Sequence, residues 1–313
     1  MTGAHEYVEL HADDYRADIA CFGAGPRKLT WQGRDLLASY PRDTHRPAAC
    51  GMILAPWPNR ITDGVYIHDG TVQNLTITET GRNNAIHGFV GEQDWQVTQQ
   101  TENRVTLSLQ MDAQPGYPWA MKYVITWELD ANSGLSGTFK ASNRSATRAP
   151  FGVGFHPYLL AQNTDIDECQ LIAPVTAYLP LEPERNLPAG PPEPVENLMP
   201  ELPYGANLAG KQMDHCFGGV KADTGGAVRA QLIQSKTATN PGRGVALWAD
   251  SEWCRWLQIY TADPARHEGF PRLGRAIAVE PMSCPPDAFR SGRDLKYLAA
   301  GETFTARLGF NAI

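Results

Sequence analysis

His156 is a candidate for proton transfer because it lies in a mostly apolar run. The run is FGVGFHPYL at 151–159, in which the histidine stands between aromatic residues and directly before Pro157. The residue before a proline avoids the α region, so extended backbone is expected here. Apolar surroundings favour neutral imidazole over imidazolium, and such a ring can exchange a proton with a bound substrate near neutral pH. A core histidine bonded to the backbone is the alternative.

Glu280 is a candidate base for a related reason. It ends an apolar, strand-like run and is followed by three prolines in VEPMSCPPDAF at 279–289. Burial of a carboxylate is costly unless the group is partnered, so its presence here suggests a purpose. Partial desolvation would raise its pKa and make it a useful base. A salt-bridged structural glutamate is the alternative.

Three further polar residues are candidates for ligand binding. Arg60 has five donors in a rigid fork, which suits an oxygen-rich ligand or a carboxylate, although it could equally close a surface turn. His87 precedes Gly88, which lets the backbone approach a ligand closely, although a structural histidine is the alternative. Asp214 lies beside His215, a spacing too common to be informative by itself.

Composition and missing motifs exclude several classes of function. The net charge of -7 and pI near 5.6 are a poor match for nucleic acid or an anionic membrane surface. Six scattered cysteines without a CxxC pair argue against zinc, iron–sulfur and disulfide frameworks. Nucleotide-loop, serine-hydrolase and zinc-protease motifs are missing, and no secretory signal or membrane-length apolar run is present. We therefore expect a cytoplasmic protein without nucleic-acid or membrane partners.

The segments that must position these residues have the patterning of β-strands. The 29 glycines and 24 prolines are spread along the chain, and no window keeps a helical stripe. Many short strands separated by turns predict an all-β protein, an antiparallel sandwich or barrel with few short helices. The period-two segments are Arg104–Met111, Ala120–Leu129, Leu135–Lys140, 246–248, 256–260, 276–279 and 304–310.

One stretch departs from this pattern. Tyr178–Gly205 contains eight prolines and several glutamates, and strand-like patterning resumes after it. We interpret it as a long surface excursion within a single domain spanning residues 1–313. An interdomain linker is the alternative.

Taken in chain order, five segments resemble the aldose 1-epimerase (galactose mutarotase) family, in a bacterial subgroup. They are NRI at 59–61, NAIHG at 84–88, FGVGFHPYL at 151–159, MDHCF at 213–217 and VEPMSCPPDAF at 279–289. The resemblance extends from about Leu36 to the carboxyl end of the sequence. It implies a large antiparallel β-sandwich in one domain and an isomerase that interconverts the α and β anomers of a free aldohexose or close derivative.

The resemblance also implies roles for individual residues. Glu280 would be the catalytic base, His156 the acid, and His87 the second histidine, which holds the ring and anomeric oxygens. Arg60 and Asp214 would bind sugar hydroxyls. Many galactose-directed members have an Asn-His-Thr-Tyr-like sequence where this chain has GFHPY at 154–158, so the sugar need not be galactose.

The reaction itself is compatible with these residue types. One group removes the O1 proton while another protonates the ring oxygen, the ring opens to an aldehyde, and it closes again after rotation about C1–C2. This needs a base and an acid on opposite sides of the anomeric centre, with neither metal nor redox cofactor. Sugar sites also offer aromatic faces, for which Trp57, Phe155 and Trp248, and also Phe217, are candidates, with core packing as the alternative.

Two other functions stay open at this point. Arg266, Arg272 and Arg275, with Arg255 nearby, could bind a 6-phosphate or 6-sulfonate, which would make the substrate an anionic hexose. The other is a non-catalytic carbohydrate-binding protein, which the presence of both histidines and the glutamate disfavours. The expected partner is a small-molecule sugar, and no oligomeric state is predicted.

Overall fold

Two large antiparallel sheets, one of nine strands and one of eight, form the body of the protein. The computed structural model describes residues 6–234 and 242–313. Residues 1–5 and 235–241 of the predicted 1–313 domain therefore lie outside the described part of the chain.

The strands are short and separated by turns along the whole described chain. The first thirteen are β1 Tyr7–Ala12, β2 Tyr15–Ala20, β3 Pro26–Trp31, β4 Arg34–Asp35, β5 Ile53–Leu54, β6 Arg60–Thr62, β7 Val65–His68, β8 Thr71–Asn74, β9 Asn84–Ile86, β10 Gln96–Gln100, β11 Arg104–Met111, β12 Met121–Asp130 and β13 Gly134–Asn143. The others are β14 Ala149–Phe151, β15 Gly154–Phe155, β16 Tyr158–Leu159, β17 Cys169–Ile172, β18 Ala177–Leu179, β19 Glu193–Pro194, β20 Ala206–Asn207, β21 Asp214–Gly218, β22 Ala227–Gln234, β23 Gly244–Asp250, β24 Trp256–Ala262, β25 Ala276–Met282, β26 Lys296–Leu298 and β27 Thr303–Ala312.

Helices are few and short in the described residues. One α-helical turn, α1, spans Ala288–Ser291 and packs against β6 and β7. The 3-10 turns are Thr80–Arg82, Val90–Glu92, Ile166–Glu168, Val195–Asn197 and Pro264–Arg266. Within the same residues no helix is long and apolar enough to cross a bilayer.

The nine-stranded sheet runs in the order β10-β11-β12-β13-β27-β23-β22-β17-β20. Alternating side chains put one apolar row of each strand on the inner face, as with Tyr123, Ile125 and Trp127 of β12, all fully buried. The indole of Trp127 also donates to the carbonyl of Ala24 (2.8 Å), which ties the amino-terminal sheet β1–β4 to this layer.

The eight-stranded sheet runs in the order β19-β18-β21-β24-β25-β15-β5, and β16 also pairs with β25. Its inner-face residues, including Phe217, Ile259 and Val279, share one continuous core cluster with those of the nine-stranded sheet. The predicted antiparallel sandwich is therefore confirmed. The period-two segments all fall on strands, the first of them coinciding with β11.

Candidate active site

Three neighbouring strands carry polar side chains on the outer face of the eight-stranded sheet. Asp214 is on β21, Gln258 on β24 and Glu280 on β25, with Gln258 directly opposite Glu280 in the strand register. Their neighbours Ile259 and Val279 point to the inner core because side chains alternate along a strand. Gln258 donates from Nε2 to Oδ1 of Asp214 (2.7 Å), which links two of the three side chains.

His156 approaches Glu280 from the adjoining loop. It follows β15, and its backbone is held on both sides: N–H donates to the carbonyl of Met52 (3.0 Å), and its carbonyl accepts from Gly51 (2.8 Å). Nε2 of His156 lies 3.3 Å from Oε1 of Glu280, and the side chains are 7% and 1% exposed respectively. The imidazole and the carboxyl group are therefore in direct contact.

Burial dominates the protonation of this pair. It raises the pKa of Glu280 well above 4.5, reinforced by the negative charge of Asp214 and opposed by Arg60. It lowers the pKa of His156 from 6.5 to about 4, helped by the positive charge of Arg46. Both shifts favour the uncharged forms, a protonated carboxyl group beside a neutral imidazole.

His87 stands at the end of β9 with its ring against His156. Its backbone has φ of 65°, in the left-handed region, and its N–H donates to the carbonyl of Asn59 (2.9 Å). The Asn59 N–H in turn donates to Nδ1 of His87 (3.3 Å), so the neutral ring carries its proton on Nε2. Burial, followed by the nearby His156 and Arg60, lowers the pKa of His87 well below 6.5. The two imidazole centroids are 5.6 Å apart in an edge-to-face arrangement.

Arg60 is buried at the start of β6 and held by a bidentate partner. Nε and Nη2 donate to the two carboxylate oxygens of Glu79, each at 2.8 Å, and Nη1 donates to Oδ1 of Asn59 (3.3 Å). Burial alone would lower the pKa of Arg60, but the hydrogen bonds that it donates to Glu79 and the charge of Asp214 outweigh this effect and raise that pKa. The guanidinium is therefore a fixed cation in the pocket wall.

These residues line one pocket of about 300 Å³, a size within the range of small-ligand sites. All five polar residues predicted from the sequence lie in its wall: Arg60, His87, His156, Asp214 and Glu280. The same wall contains residues that were not singled out: Asn59, Glu79, Arg82, Tyr158, Gln258, Tyr260 and Glu268. Gln258 had a usable signal, since it is the one polar residue inside the apolar run WLQI at 256–259.

The structure places none of the predicted aromatic residues among the described residues of the pocket wall. Trp57 is buried against Phe89 and Phe289, and Phe155 packs on Phe139 and Trp253 in the core.

Two more aromatic candidates lie in the sandwich itself. Trp248 is on β23 of the nine-stranded sheet, beneath the guanidinium of Arg307, and Phe217 points into the core. The aromatic rings in the pocket wall are those of Tyr158 and Tyr260.

None of the arginines of the predicted cluster is among the described residues that line the pocket. Arg275 pairs with Asp263 (3.0 Å) and with Asp167, and Arg266 lies 3.5 Å from Glu268. Arg255 and Arg272 are exposed, and neither is among the described residues that line the pocket. The pocket wall does contain a different arginine, Arg82, which contacts Glu79 (3.3 Å).

The described residues contain no group of three His, Cys, Asp or Glu side chains arranged to hold a metal ion. All six cysteines are buried and unpaired as disulfides. Burial raises the pKa of Cys284 to about 12 and that of Cys216 well above 9.0. Neither thiol is therefore a thiolate at neutral pH.

Comparison with known proteins yields one family and a consistent fold. The family model described as aldose 1-epimerase matches residues 6–311. A protein of Escherichia coli strain K12, named uncharacterized protein YihR, is 33% identical over 304 residues, covering 97% of this chain and 92% of that protein.

Solved structures resemble the whole chain. A putative aldose 1-epimerase from Escherichia coli K12 has a TM-score of 0.81 at 20% identity, covering 98% of this chain and 99% of that one. The galactose 1-epimerase from Lactobacillus acidophilus has a TM-score of 0.80 at 18% identity, covering 98% and 94%. At 20% and 18% sequence identity, these two matches show that this chain shares the fold of those proteins.

Proposed function

Because the chain belongs to the aldose 1-epimerase family, we propose that it interconverts the α and β anomers of a free aldohexose or close derivative. The observation that carries this proposal is the contact between His156 and Glu280, at 3.3 Å, inside a pocket lined mostly by hydrogen-bonding side chains. Opening and closing a hemiacetal requires at least one acid and one base, and a pair that shares one proton can supply both.

The resting pair has its proton on Glu280, because burial disfavours charge on both groups. Transfer of that proton to Nε2 of His156 across their contact gives a carboxylate and an imidazolium. The net charge of the pocket is unchanged by this step, and the nearby guanidinium of Arg60 favours the carboxylate. The ionised pair is the form that starts the reaction.

Ring opening then uses both members at once. The Glu280 carboxylate removes the proton from the O1 hydroxyl while the His156 imidazolium protonates the ring oxygen. The C1–ring oxygen bond breaks and its electron pair stays on that oxygen, while C1 and O1 become the aldehyde. After opening, Glu280 carries the proton and His156 is neutral. After rotation about C1–C2 the two groups exchange roles: Glu280 returns a proton to O1 while His156 takes one from the ring-oxygen hydroxyl, so the ring closes on the other face and the ionised pair is restored.

The remaining polar residues bind and orient the sugar. His87 is neutral with its proton on Nε2, so it can donate a hydrogen bond to an oxygen that gains negative charge during opening. Arg60 and Asp214 are suited to sugar hydroxyls, one as donor and one as acceptor. Gln258 donates a hydrogen bond to Asp214 and lies directly opposite Glu280 in the strand register.

Two-dimensional exchange NMR on equilibrated sugar tests the proposal directly, since it measures anomer exchange without consuming substrate. We expect catalysed exchange with at least one member of a panel containing glucose, galactose and related hexoses. Glu280→Gln should lower that rate by roughly 10²- to 10⁴-fold with an unchanged melting temperature. Glu128→Gln, an exposed strand glutamate, is the matched control.

Two outcomes would overturn the proposal. One is full activity in Glu280→Gln, which would remove the assigned base. The other is sugar binding without anomer exchange in the wild type, which would favour the non-catalytic binding protein.

The anionic alternative now depends on Arg82 in the pocket wall rather than on the predicted cluster. The same panel should therefore include hexose 6-phosphates and 6-sulfonates. An anionic substrate is favoured if kcat/KM is higher for these than for the neutral sugars and if Arg82→Gln removes the difference. The cytoplasmic location stays a prediction of the sequence.

A further inference from the structure

The proline-rich excursion reaches the loop behind the candidate site through one side chain, Arg185. Its Nε donates to the carbonyl of Arg82 (2.9 Å), and its Nη2 donates to the carbonyl of Asn83 (2.9 Å) and to Oδ1 of Asn84 (3.2 Å). Nη2 also donates to Oδ1 of Asp63 (2.7 Å). One guanidinium thus holds three consecutive residues of the 82–84 loop and a carboxylate beyond it.

The excursion presents Arg185 from a turn that is closed on itself. The carboxylate of Glu182 accepts from the backbone N–H groups of Glu184 and Arg185, each at 2.9 Å. The Glu182 N–H donates to the carbonyl of Leu187 (2.9 Å), and its carbonyl accepts from Asn186 (3.0 Å). Because this turn is ordered by its own hydrogen bonds, little further ordering is needed for Arg185 to make its contacts.

Asn84 connects Arg185 to the pocket. This side chain is fully buried, and its Nδ2 donates both to Oε2 of Glu79 (2.9 Å) and to the carbonyl of Arg185 (3.2 Å). Its Oδ1 accepts from Arg185, so the buried amide is bonded on both its oxygen and its nitrogen. A buried amide that loses its partner is costly, which makes this connection resistant to rearrangement.

Glu79, itself in the pocket wall, is the link to Arg60. Its carboxylate accepts the two parallel hydrogen bonds from Arg60, a geometry that fixes the plane of the guanidinium. The chain of contacts therefore runs from Arg185 through Asn84 and Glu79 to Arg60. None of the first three needs to touch the reacting atoms.

We infer that Arg185 is a positioning residue, which holds the Asn84–Glu79 pair so that Arg60 keeps the orientation in which it binds sugar hydroxyls. This inference rests on the proposed function for the role of Arg60. The proline-rich segment 178–205 would then support the sugar-binding wall from outside the pocket, through Arg185.

The expected signature is a change in KM rather than in kcat. Arg60 binds hydroxyls in the ground state and the transition state alike, and loss of such uniform binding raises KM while leaving kcat unchanged. Arg185→Met keeps the apolar stem and the backbone carbonyl that accepts from Asn84, and it removes the hydrogen bonds of the guanidinium. We expect roughly a 3- to 10-fold rise in KM with kcat within about twofold. Arg185→Lys restores the charge but not the fork, so its KM should lie between those of the wild type and Arg185→Met.

The control is Arg148→Met, which removes another partly exposed arginine–carboxylate pair, with Asp69, on a hairpin outside the pocket. It should leave KM and kcat unchanged. Hydrogen exchange of the amides at 79–86 supplies a readout that needs no activity. We expect exchange to accelerate in Arg185→Met more at these amides than in the core strands, and we expect unchanged exchange in Arg148→Met.

The outcomes separate the two proposals. A wild type inactive on every sugar defeats the proposed function, and exchange at 79–86 then still decides whether Arg185 orders this loop. If the wild type is active, unchanged KM in Arg185→Met overturns the positioning role. An equal fall of kcat in both arginine variants would also overturn it, because the effect would then be a general loss of stability.

Discussion

Nε2 of His156 and Oε1 of Glu280 are 3.3 Å apart, so no sugar oxygen can lie between them in this arrangement. The sequence argument expected the base and the acid on opposite sides of the anomeric centre, but at this distance a substrate must meet the two groups side by side. This suits a hemiacetal, whose two reacting oxygens are bonded to the same carbon. The contact also gives the proton a direct route from Glu280 to His156 when the ionised pair forms.

Replacing His156 should remove most of the catalysis. His156→Gln keeps a hydrogen-bonding side chain but cannot transfer a proton, and we expect the exchange rate to fall by roughly 10²- to 10⁴-fold. The double variant with Glu280→Gln should be little slower than either single variant, because the two groups act as a unit. Exchange NMR measures all three rates. His11→Gln, at a partly exposed histidine, is the control, and additive losses would contradict the shared-proton mechanism.

The pH dependence of catalysis should be displaced from that of an ordinary histidine. Activity requires the pair to hold one proton. A second proton enters only when the pH falls towards the His156 pKa of about 4, below the usual 6.5, and the remaining proton leaves only above the raised pKa of Glu280. Lowering the pH through 6.5 should therefore not reduce enzyme-dependent kcat/KM, after the spontaneous rate is subtracted, and the acid limb should lie closer to pH 4. A loss of activity on acidification with its midpoint near pH 6.5 would contradict this assignment.

Gln258 should contribute to sugar binding through Asp214. It is 2% exposed, and its Oε1 has no hydrogen-bond partner among the described residues, which leaves that oxygen available to a ligand. Gln258→Leu removes both this acceptor and the donor to Asp214, so KM should rise by about tenfold or more. Steady-state exchange rates across sugar concentrations measure the change. Gln231→Leu on the nine-stranded sheet should leave KM unchanged, and an unaltered KM in Gln258→Leu would exclude the role.

Substitution of one core glycine, Gly137, should lower the stability of the protein. Gly137 lies opposite Trp127 on β13, and a Cβ placed there would be 2.5 Å from Cζ3 of the indole. Because Trp127 is fully buried, it cannot move aside freely, and Gly137→Ala should lower the free energy of unfolding by about 1–3 kcal/mol. Chemical denaturation measures this. Gly190→Ala, where no atom lies within 4 Å of the added Cβ, is the control, and equal stability of the two variants would contradict the clash.

Sequence patterning located seven strands, β11 to β13, β23 to β25 and β27, and predicted the antiparallel sandwich, but it did not predict which strands pair. Arg104–Met111 coincides with β11. One face of that strand is buried and the other is not, so apolar and polar residues alternate along its sequence. The placement of β27 between β13 and β23 has no such local signal, since it depends on pairings between distant segments.

Candidate residues were found where a polar group interrupts an apolar run. His156 and Glu280 are such cases, whereas Glu79 and Arg82 lie in a polar turn that looks like any solvated loop. The aromatic predictions show why proximity in sequence misleads. Phe155 is next to His156 in the chain but points into the core, because successive side chains on extended backbone face opposite sides.

The position of β27 also governs how the protein can be made. It follows every other strand of the nine-stranded sheet in the chain, yet it pairs with β13 on one side and β23 on the other. During synthesis β13 and β23 therefore each have one unpaired edge until Thr303–Ala312 has left the ribosome. Nascent chains should accumulate as chaperone clients up to that length, and shortening the gene within this strand should yield aggregates rather than a smaller folded product.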